Sequence, residues 1–329
     1  MRPRLKPSGK VYYYFDQGGK PRKEIPLGSD YIEALRKYAD LAMDSAPVQQ
    51  ATWEDLSLKY RVEEIPKKAR NTIRVQMSDI KHLDKFFEGA PLAEIKPMFI
   101  HQFLQKMKDK PTTANRCKRL FSAMWSAARS WGYTDKPNPT EGIKGFTLGK
   151  REVFTTDAVF KAVWDAGSEP LRDAMDLAYL TGQRPADALK STEHDIVDGR
   201  LNVQQGKTSQ KLRIEIVGEL AALIDRIRAR KKGHKVVHTA LLVNMHGMQL
   251  TPAVLRKHFD KAKTKAMQDN PDLADQIKAF WFYDLRSKAA DDVAERTDEE
   301  TASDLLGHGN VKTTRRHYLR RGKIVMPTR

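Results

Sequence analysis

From Thr52 to Pro139 one pattern repeats: apolar residues return at three- and four-residue intervals through TWEDLSLKYRVEEI, NTIRVQMSDIKHLDKFF, KPMFIHQFLQKM and TTANRCKRLFSAMWSAARSWG. That period puts them on one face of a helix, and four such stretches in succession predict an all-helical domain over residues 52–140. Its Met, Phe and Trp residues are expected in the core, where they offer no catalytic chemistry. The basic residues between them, notably Arg70, Arg74, Arg116, Lys118, Arg119 and Arg129, need a different explanation.

Charge supplies it. The 329 residues carry a formal net charge of +17 with 31% charged residues, an excess that predicts a polyanionic partner, either nucleic acid or an anionic membrane. No apolar run approaches the roughly 20 residues of a spanning helix. The basic start MRPRLKPSGK has no apolar stretch after it of the kind a secretion signal needs. Cys117 is the only cysteine, so an internal disulfide is impossible and a cytoplasmic location is expected. Nucleic acid is the leading partner, and the helical middle reads as a DNA-gripping domain.

Residues 1–47 read as a smaller domain, a small sheet with one helix. Two β-prone runs in KVYYYFDQGGKPRKEIPLG flank Asp16-Gln17-Gly18-Gly19, residue types that permit a tight turn. A helix is expected from about Asp30, with Ile32, Leu35 and Ala39 on one face. Lys6, Lys10, Lys20, Arg22 and Lys23 crowd this sheet beside Tyr12, Tyr13 and Tyr14, which fits either DNA contact or a solvated basic face. After the helical domain, the Pro- and Gly-rich DKPNPTEGIKGFTLGK makes residues 141–150 a linker into a mixed third domain over 151–329.

Within that third domain, QQGKTSQK contains Gly-Lys-Thr-Ser, the end of a phosphate-binding loop. Such a loop requires a glycine five positions before Gly206, where Leu201 stands, and it joins a strand to a helix. Here RLNVQ and KLRIEIV alternate in strand fashion on both sides, so Lys207 is predicted at a hairpin tip. In LRDAMDLAYLTGQRPADALKST a helix is expected to end near Gly182, and a second to begin at Pro185, with Arg184 in the turn. Asp187 reads as the partner that orients Arg184.

Metal chemistry is disfavoured. HKVVH spaces His234 and His238 four apart but lacks the glutamate of a zinc-protease helix, and the pairs Asp291-Asp292 and Glu299-Glu300 read as solvated helix faces. Metal-free attack on a phosphodiester needs a nucleophile, cations for the charge developing on phosphoryl oxygens, and an acid for the leaving oxygen. Arginine forks suit the oxygens. A tyrosine suits attack if nearby cations favour its phenolate. Arg184, Lys207, Arg286, His308 and Tyr318 supply every part.

These residues lie in TGQRPADAL, the Lys207 hairpin, YDLR and LLGHGNVKTTRRHY, and in that order they resemble the tyrosine recombinases, more narrowly the integrases of temperate phages and genomic islands. The resemblance implies a multidomain, mainly α chain with small antiparallel β elements: an arm-type DNA-binding domain (1–47), a helical core-binding domain (52–140) and a mixed α/β catalytic domain (151–329). It implies that Tyr318 attacks the scissile phosphate to give a 3′-phosphotyrosine, Arg184 and Arg286 clamp the non-bridging oxygens, His308 hydrogen-bonds to the phosphate, and Lys207 protonates the departing 5′-oxygen. No cofactor is required. The implied partners are double-stranded attachment sites, three further copies of the chain in a tetramer on DNA, a host DNA-bending protein and an excision factor. Candidate DNA contacts are Lys20, Arg22, Lys23, Arg70, Arg74, Arg116 and Arg119.

Two positions depart from the family pattern. Tyr283 stands three residues before Arg286, where the family usually has histidine, and is kept as a site residue. Tyr318 follows His308 by ten residues, one more than the commonest spacing, with His317 at the usual place; on a continuous helix that rotates the side chain by about 100°. The alternatives are an inert DNA-binding regulator and a type IB topoisomerase.

Overall fold

The computed structural model describes residues 1–16, 24–43, 51–235, 238–322 and 326–328. They fall into two units, Met1–Gly149 and Lys150–Arg329. The first unit opens with an antiparallel sheet of β1 (Arg2–Leu5), β2 (Val11–Asp16) and β3 (Glu24–Gly28) in that order. β1 lies in the basic start, where charges and prolines obscure any strand period; it is held by backbone pairing and by the ion pairs Arg2–Asp16 (3.0 Å) and Arg4–Glu24 (2.7 Å). Successive strand side chains face opposite ways. Tyr13 and Phe15 therefore pack edge-on to Tyr31 and Tyr38 of α1 (Tyr31–Met43), while Arg4 lies over Tyr14. One residue of the expected helix face is corrected. Ala34, Leu35 and Ala39 are buried, but Ile32 is 51% exposed, because Tyr31 takes the inward place in the first turn.

The helical part follows the sequence pattern closely, as α2 (Trp53–Glu63), α3 (Arg70–Phe87), α4 (Pro97–Lys106) and α5 (Pro111–Ser130). Thr52 and Asp55 close a reciprocal capping box on α2, and prolines open α4 and α5, where a missing N–H costs nothing. Trp53 stacks on Phe121 with ring centres 5.2 Å apart, Phe121 on Trp125 at 5.6 Å, and Phe87 tilts against the first two. These rings are core, as expected; Met98 is the exception, on the surface. The start of 141–150 is anchored, since Ile143 is buried in this core and Phe146 exchanges two 2.8 Å hydrogen bonds with Asn115.

The second unit contains α6 (Asp157–Asp165), α7 (Glu169–Thr181), α8 (Pro185–Ala188), α9 (Gly218–Lys232), α10 (Pro252–Asp269), α11 (Ala274–Ala279), α12 (Asp284–Arg296), α13 (Glu299–Leu306) and α14 (Val311–His317), with α12 packed on α7 and α13. Its antiparallel sheet is β4 (Ile196–Val197), β5 (Arg200–Gln204) and β6 (Lys211–Glu215). The expected alternation holds: Leu201 faces Ile214 and Val203 faces Leu212, and the first member of each pair is buried. Every residue of α12 from Asp284 to Asp291 is buried. A buried charge must be paired, and Lys288 meets Asp157 and Asp292 while Asp284 meets Arg151 and Arg320. The reading of Asp291 and Asp292 as a solvated face is thus corrected: Asp292 accepts from Tyr179, Lys288 and Arg321. Val236 and Val237 of HKVVH lie outside the described residues, as do Gln17, Gly18 and Gly19 of the first turn.

Candidate active site

Two left-handed glycines set the site's backbone. α7 ends at Gly182 (φ +63°), which turns the chain through Gln183 to Arg184 at the head of α8. α13 ends at Gly307, also at φ +63°, which delivers His308. A side chain would be strained at either place. It would also be crowded, since a Cβ on Gly182 would come within 3.1 Å of Leu305 and Leu306, and one on Gly307 within 3.0 Å of Gln205 Nε2. The first turn of α12 adds Arg286, and the end of α14 adds Tyr318.

Arg286 is fully buried. Its Nη1 donates to the Gly182 carbonyl and its Nη2 to the Leu306 carbonyl, both at 2.7 Å, so it ties the two glycine turns together. Nη2 also lies 3.1 Å from His308 Nε2. A guanidinium cannot accept a hydrogen bond, so Nε2 is the acceptor and the ring proton sits on Nδ1, which donates to Thr314 Oγ1 at 2.7 Å. Burial, reinforced by Arg286, Arg184 and His317, pushes His308 down to about 4. The imidazole is neutral here. Arg184 donates to Gln205 Oε1 at 2.9 Å, and the buried Nε–H of both arginines finds no hydrogen-bond partner among the described residues.

Tyr318 closes α14 with its N–H on the Thr314 carbonyl and then leaves the helix at φ −124°. That departure absorbs the extra residue after His308: the Tyr318 ring turns inward and is 9% exposed, while His317 stays on the surface. The ring lies 4.9 Å from that of His308 and 5.3 Å from the Arg286 guanidinium carbon. Its hydroxyl is 2.9 Å from that of Tyr283. Burial opposes ionisation of Tyr318, yet the Tyr283 hydrogen bond and the charges of Arg286 and Arg184 outweigh it and lower the pKa below the usual tyrosine value. Tyr283 moves up, through burial and its bond to Tyr318. The pair is polarised toward a Tyr318 phenolate with Tyr283 as donor.

Residues 155–323 match the profile of the phage integrase family. The chain belongs to this family. It is therefore a tyrosine recombinase, and the second unit carries the catalytic domain. The integrase of Escherichia phage HK022 is 26% identical over 259 residues, covering 75% of this chain and 69% of that protein. The integrase of Escherichia phage lambda is 27% identical over 252 residues, covering 73% and 67%. A crystal structure of a lambda integrase tetramer bound to a Holliday junction shares the fold, with a TM-score of 0.71 at 21% identity over 99% of this chain and 97% of that one.

Five of the six expected site residues of this integrase, Arg184, Tyr283, Arg286, His308 and Tyr318, thus come together. Lys207 does not touch them; it sits exposed on the turn between β5 and β6, where the hairpin prediction puts it. What joins this hairpin to the site was missed from sequence. Buried Gln205 accepts from Arg184 and Thr208, and donates to Gln183 Oε1 (2.8 Å) and the Leu306 carbonyl (2.9 Å). Asp187, expected to orient Arg184, forms an ion pair with it at 3.9 Å through Oδ2 and accepts the Gly206 N–H at 2.8 Å on Oδ1. The only signal was two glutamines beside the two motifs, TGQR and QQGK.

Of the candidate DNA contacts, Arg70, Arg74 and Arg119 are exposed. Arg116 forms a bidentate pair with buried Asp79, at 2.6 and 2.8 Å. Lys20, Arg22 and Lys23 lie outside the described residues. Among the described residues no helix is long and apolar enough to cross a membrane.

Proposed function

We propose that Tyr318 is the nucleophile of this recombinase and that Tyr283 assists it as hydrogen-bond donor. The observation that carries this is the 2.9 Å contact between the two hydroxyls beside the buried Arg286 and the His308 ring. The Tyr318 phenolate, its proton released to solvent beforehand, attacks phosphorus, the bond from phosphorus to the 5′-oxygen breaks, and a 3′-phosphotyrosine forms. Arg184 and Arg286 hold the non-bridging oxygens with forks that stay charged at any working pH. His308 binds the same phosphate, whose negative charge favours a proton on Nε2. Lys207, brought in by its hairpin, protonates the departing 5′-oxygen. The new ester conserves the energy of the old one, so a 5′-hydroxyl from another strand reverses the step without ATP.

The other proposed roles follow the family layout. Residues 1–47 would bind arm-type DNA through Arg4, Tyr14 and their neighbours, residues 52–140 would grip core DNA through Arg70, Arg74 and Arg119, and 141–150 would connect that grip to the catalytic domain at 151–329. A lambda integrase dimer bound to a core site, at a TM-score of 0.71 and 20% identity, supports this reading by fold. The substrates would be attachment sites of a phage or mobile element, held by a tetramer in the cytoplasm, with a host DNA-bending protein and an excision factor as accessories.

The test is covalent capture in EDTA without ATP, on nicked duplexes cut from the DNA that flanks the protein's own gene. A denaturation-resistant adduct that is lost in Tyr318→Phe, with DNA binding retained, is the expected result. If wild type binds these duplexes but forms no adduct and relaxes no supercoiled plasmid bearing the same DNA, the chain is an inert DNA-binding regulator. Relaxation without exchange between paired sites would instead indicate topoisomerase activity.

A further inference from the structure

The backbone continues from Tyr318 through Leu319 to two arginines fastened to the far side of α12. The Arg320 N–H donates to Asp291 Oδ1 at 2.8 Å, and its Nη1 donates to the Val153 carbonyl at 2.7 Å and to Asp284 Oδ1 at 2.8 Å. The Arg321 N–H reaches the same Asp291 oxygen at 3.2 Å, and its guanidinium meets Asp292 and Glu295. Asp284 and Asp291 are two turns apart on one face of α12 and both are buried. Arg286, two residues after Asp284, points about 200° away around the helix. The helix therefore presents an arginine to the site from one side and grips the chain beyond the nucleophile with the other.

The grip bears on the nucleophile by geometry. Two residues span at most about 7 Å, so fixing Arg320 confines the Tyr318 backbone, which has already left α14. Inside the site Tyr318 packs, among the described residues, in a small apolar cluster with Ala290, Leu306 and Leu319.

We infer that Arg320 is a positioning residue for the nucleophile, latching the segment after Tyr318 to Val153, Asp284 and Asp291 of its own catalytic unit so that the phenol stays in the site. Opening the latch withdraws Tyr318 and leaves Arg184, Arg286 and His308 in place. This rests on Tyr318 being the nucleophile, and the test separates the two ideas.

Arg320→Ala, Arg320→Gln and Arg320→Lys are compared with wild type for folding, DNA affinity, single-turnover adduct formation, and nitration of individual tyrosines by tetranitromethane with peptide mapping. Tyr12 of the first unit, outside the site, serves as the internal standard. In folded Arg320→Ala, nitration of Tyr318 should rise several-fold relative to Tyr12 and adduct formation should slow by about tenfold or more at unchanged DNA affinity; Arg320→Lys should restore part of both. Wild-type nitration and wild-type adduct rate in Arg320→Ala overturn the latch. Should that variant not fold, Arg320→Gln, too short to reach Val153 and Asp284 together, decides by the same two readings. Altered Tyr318 nitration with no adduct in wild type would keep the latch and discard the nucleophile assignment.

Discussion

Tyr283→Phe removes one oxygen and should change how this integrase responds to pH. Once Tyr318 is ionised, only Tyr283 can donate in the pair, across 2.9 Å. A hydrogen bond to a charged group contributes about 1.5–3 kcal/mol, and the low end applies because water competes at a side chain that is 41% exposed. About 1.5 kcal/mol corresponds to roughly one pKa unit on Tyr318, hence about tenfold less phenolate at neutral pH. Single-turnover adduct formation by Tyr283→Phe should be about tenfold slower near neutrality and should approach wild type as the pH nears about 10, where the phenol ionises unaided. DNA affinity should not change, and Tyr283→His, which keeps a donor, should recover much of the rate. Superimposable pH profiles for wild type and Tyr283→Phe would refute the reasoning. A deficit that is equal at every pH would place Tyr283 on the phosphate instead.

His308 is lowered to about 4 in the folded chain against 6.5 when free, so between those values the unfolded chain binds the extra proton. Stability that is full above pH 6.5 should be lost as pH falls toward 4, and His308→Gln should flatten this slope in thermal melts; equal slopes would refute it. Gln205→Leu strips Arg184 of its acceptor and the Leu306 carbonyl of a donor, which should cost about 2 kcal/mol in urea denaturation and slow adduct formation; an unchanged midpoint would exclude the proposed tie. Arg116→Ala removes the charged partner of the Asp79 carboxylate, a loss of about 1.5 kcal/mol, the low end because Arg116 is itself partly exposed. Arg119→Ala, on the surface, should leave stability intact and reduce the salt dependence of DNA binding by about one counterion; the opposite pattern at either position would reverse the two assignments.

The helices were legible because their apolar residues repeat with a helical period, and the β5–β6 hairpin because Leu201, Val203, Leu212 and Ile214 alternate. β1 was not, since its strand is made by backbone pairing and ion pairs that no period records. The order of Arg184, Lys207, Arg286, His308 and Tyr318 was visible in the sequence, whereas the way Tyr318 enters the site was not. The ten-residue interval predicted a misdirected ring on an ideal helix, and only the actual end of α14 at His317 resolves it. Gln183 and Gln205 escaped notice because an amide gives no sign in sequence of whether it faces water or bridges two buried carbonyls.

The net charge of +17 carries a similar ambiguity, and the structure divides it into two populations with different jobs. Arg151, Arg230, Arg286 and Arg320 are spent inside the protein on buried carboxylates or on carbonyls, and Lys288 is itself buried where it meets Asp157 and Asp292. These bonds are shielded from salt, and breaking one strands its partner away from water. Arg70, Arg74, Arg119 and Lys207 are exposed and remain available to phosphate. Loss of an internal cation should therefore appear as instability or a displaced nucleophile at any ionic strength, and loss of a surface cation as weaker, less salt-sensitive DNA binding by a chain of unchanged stability. Measured together, the two responses distinguish positions that sequence alone writes with the same letter.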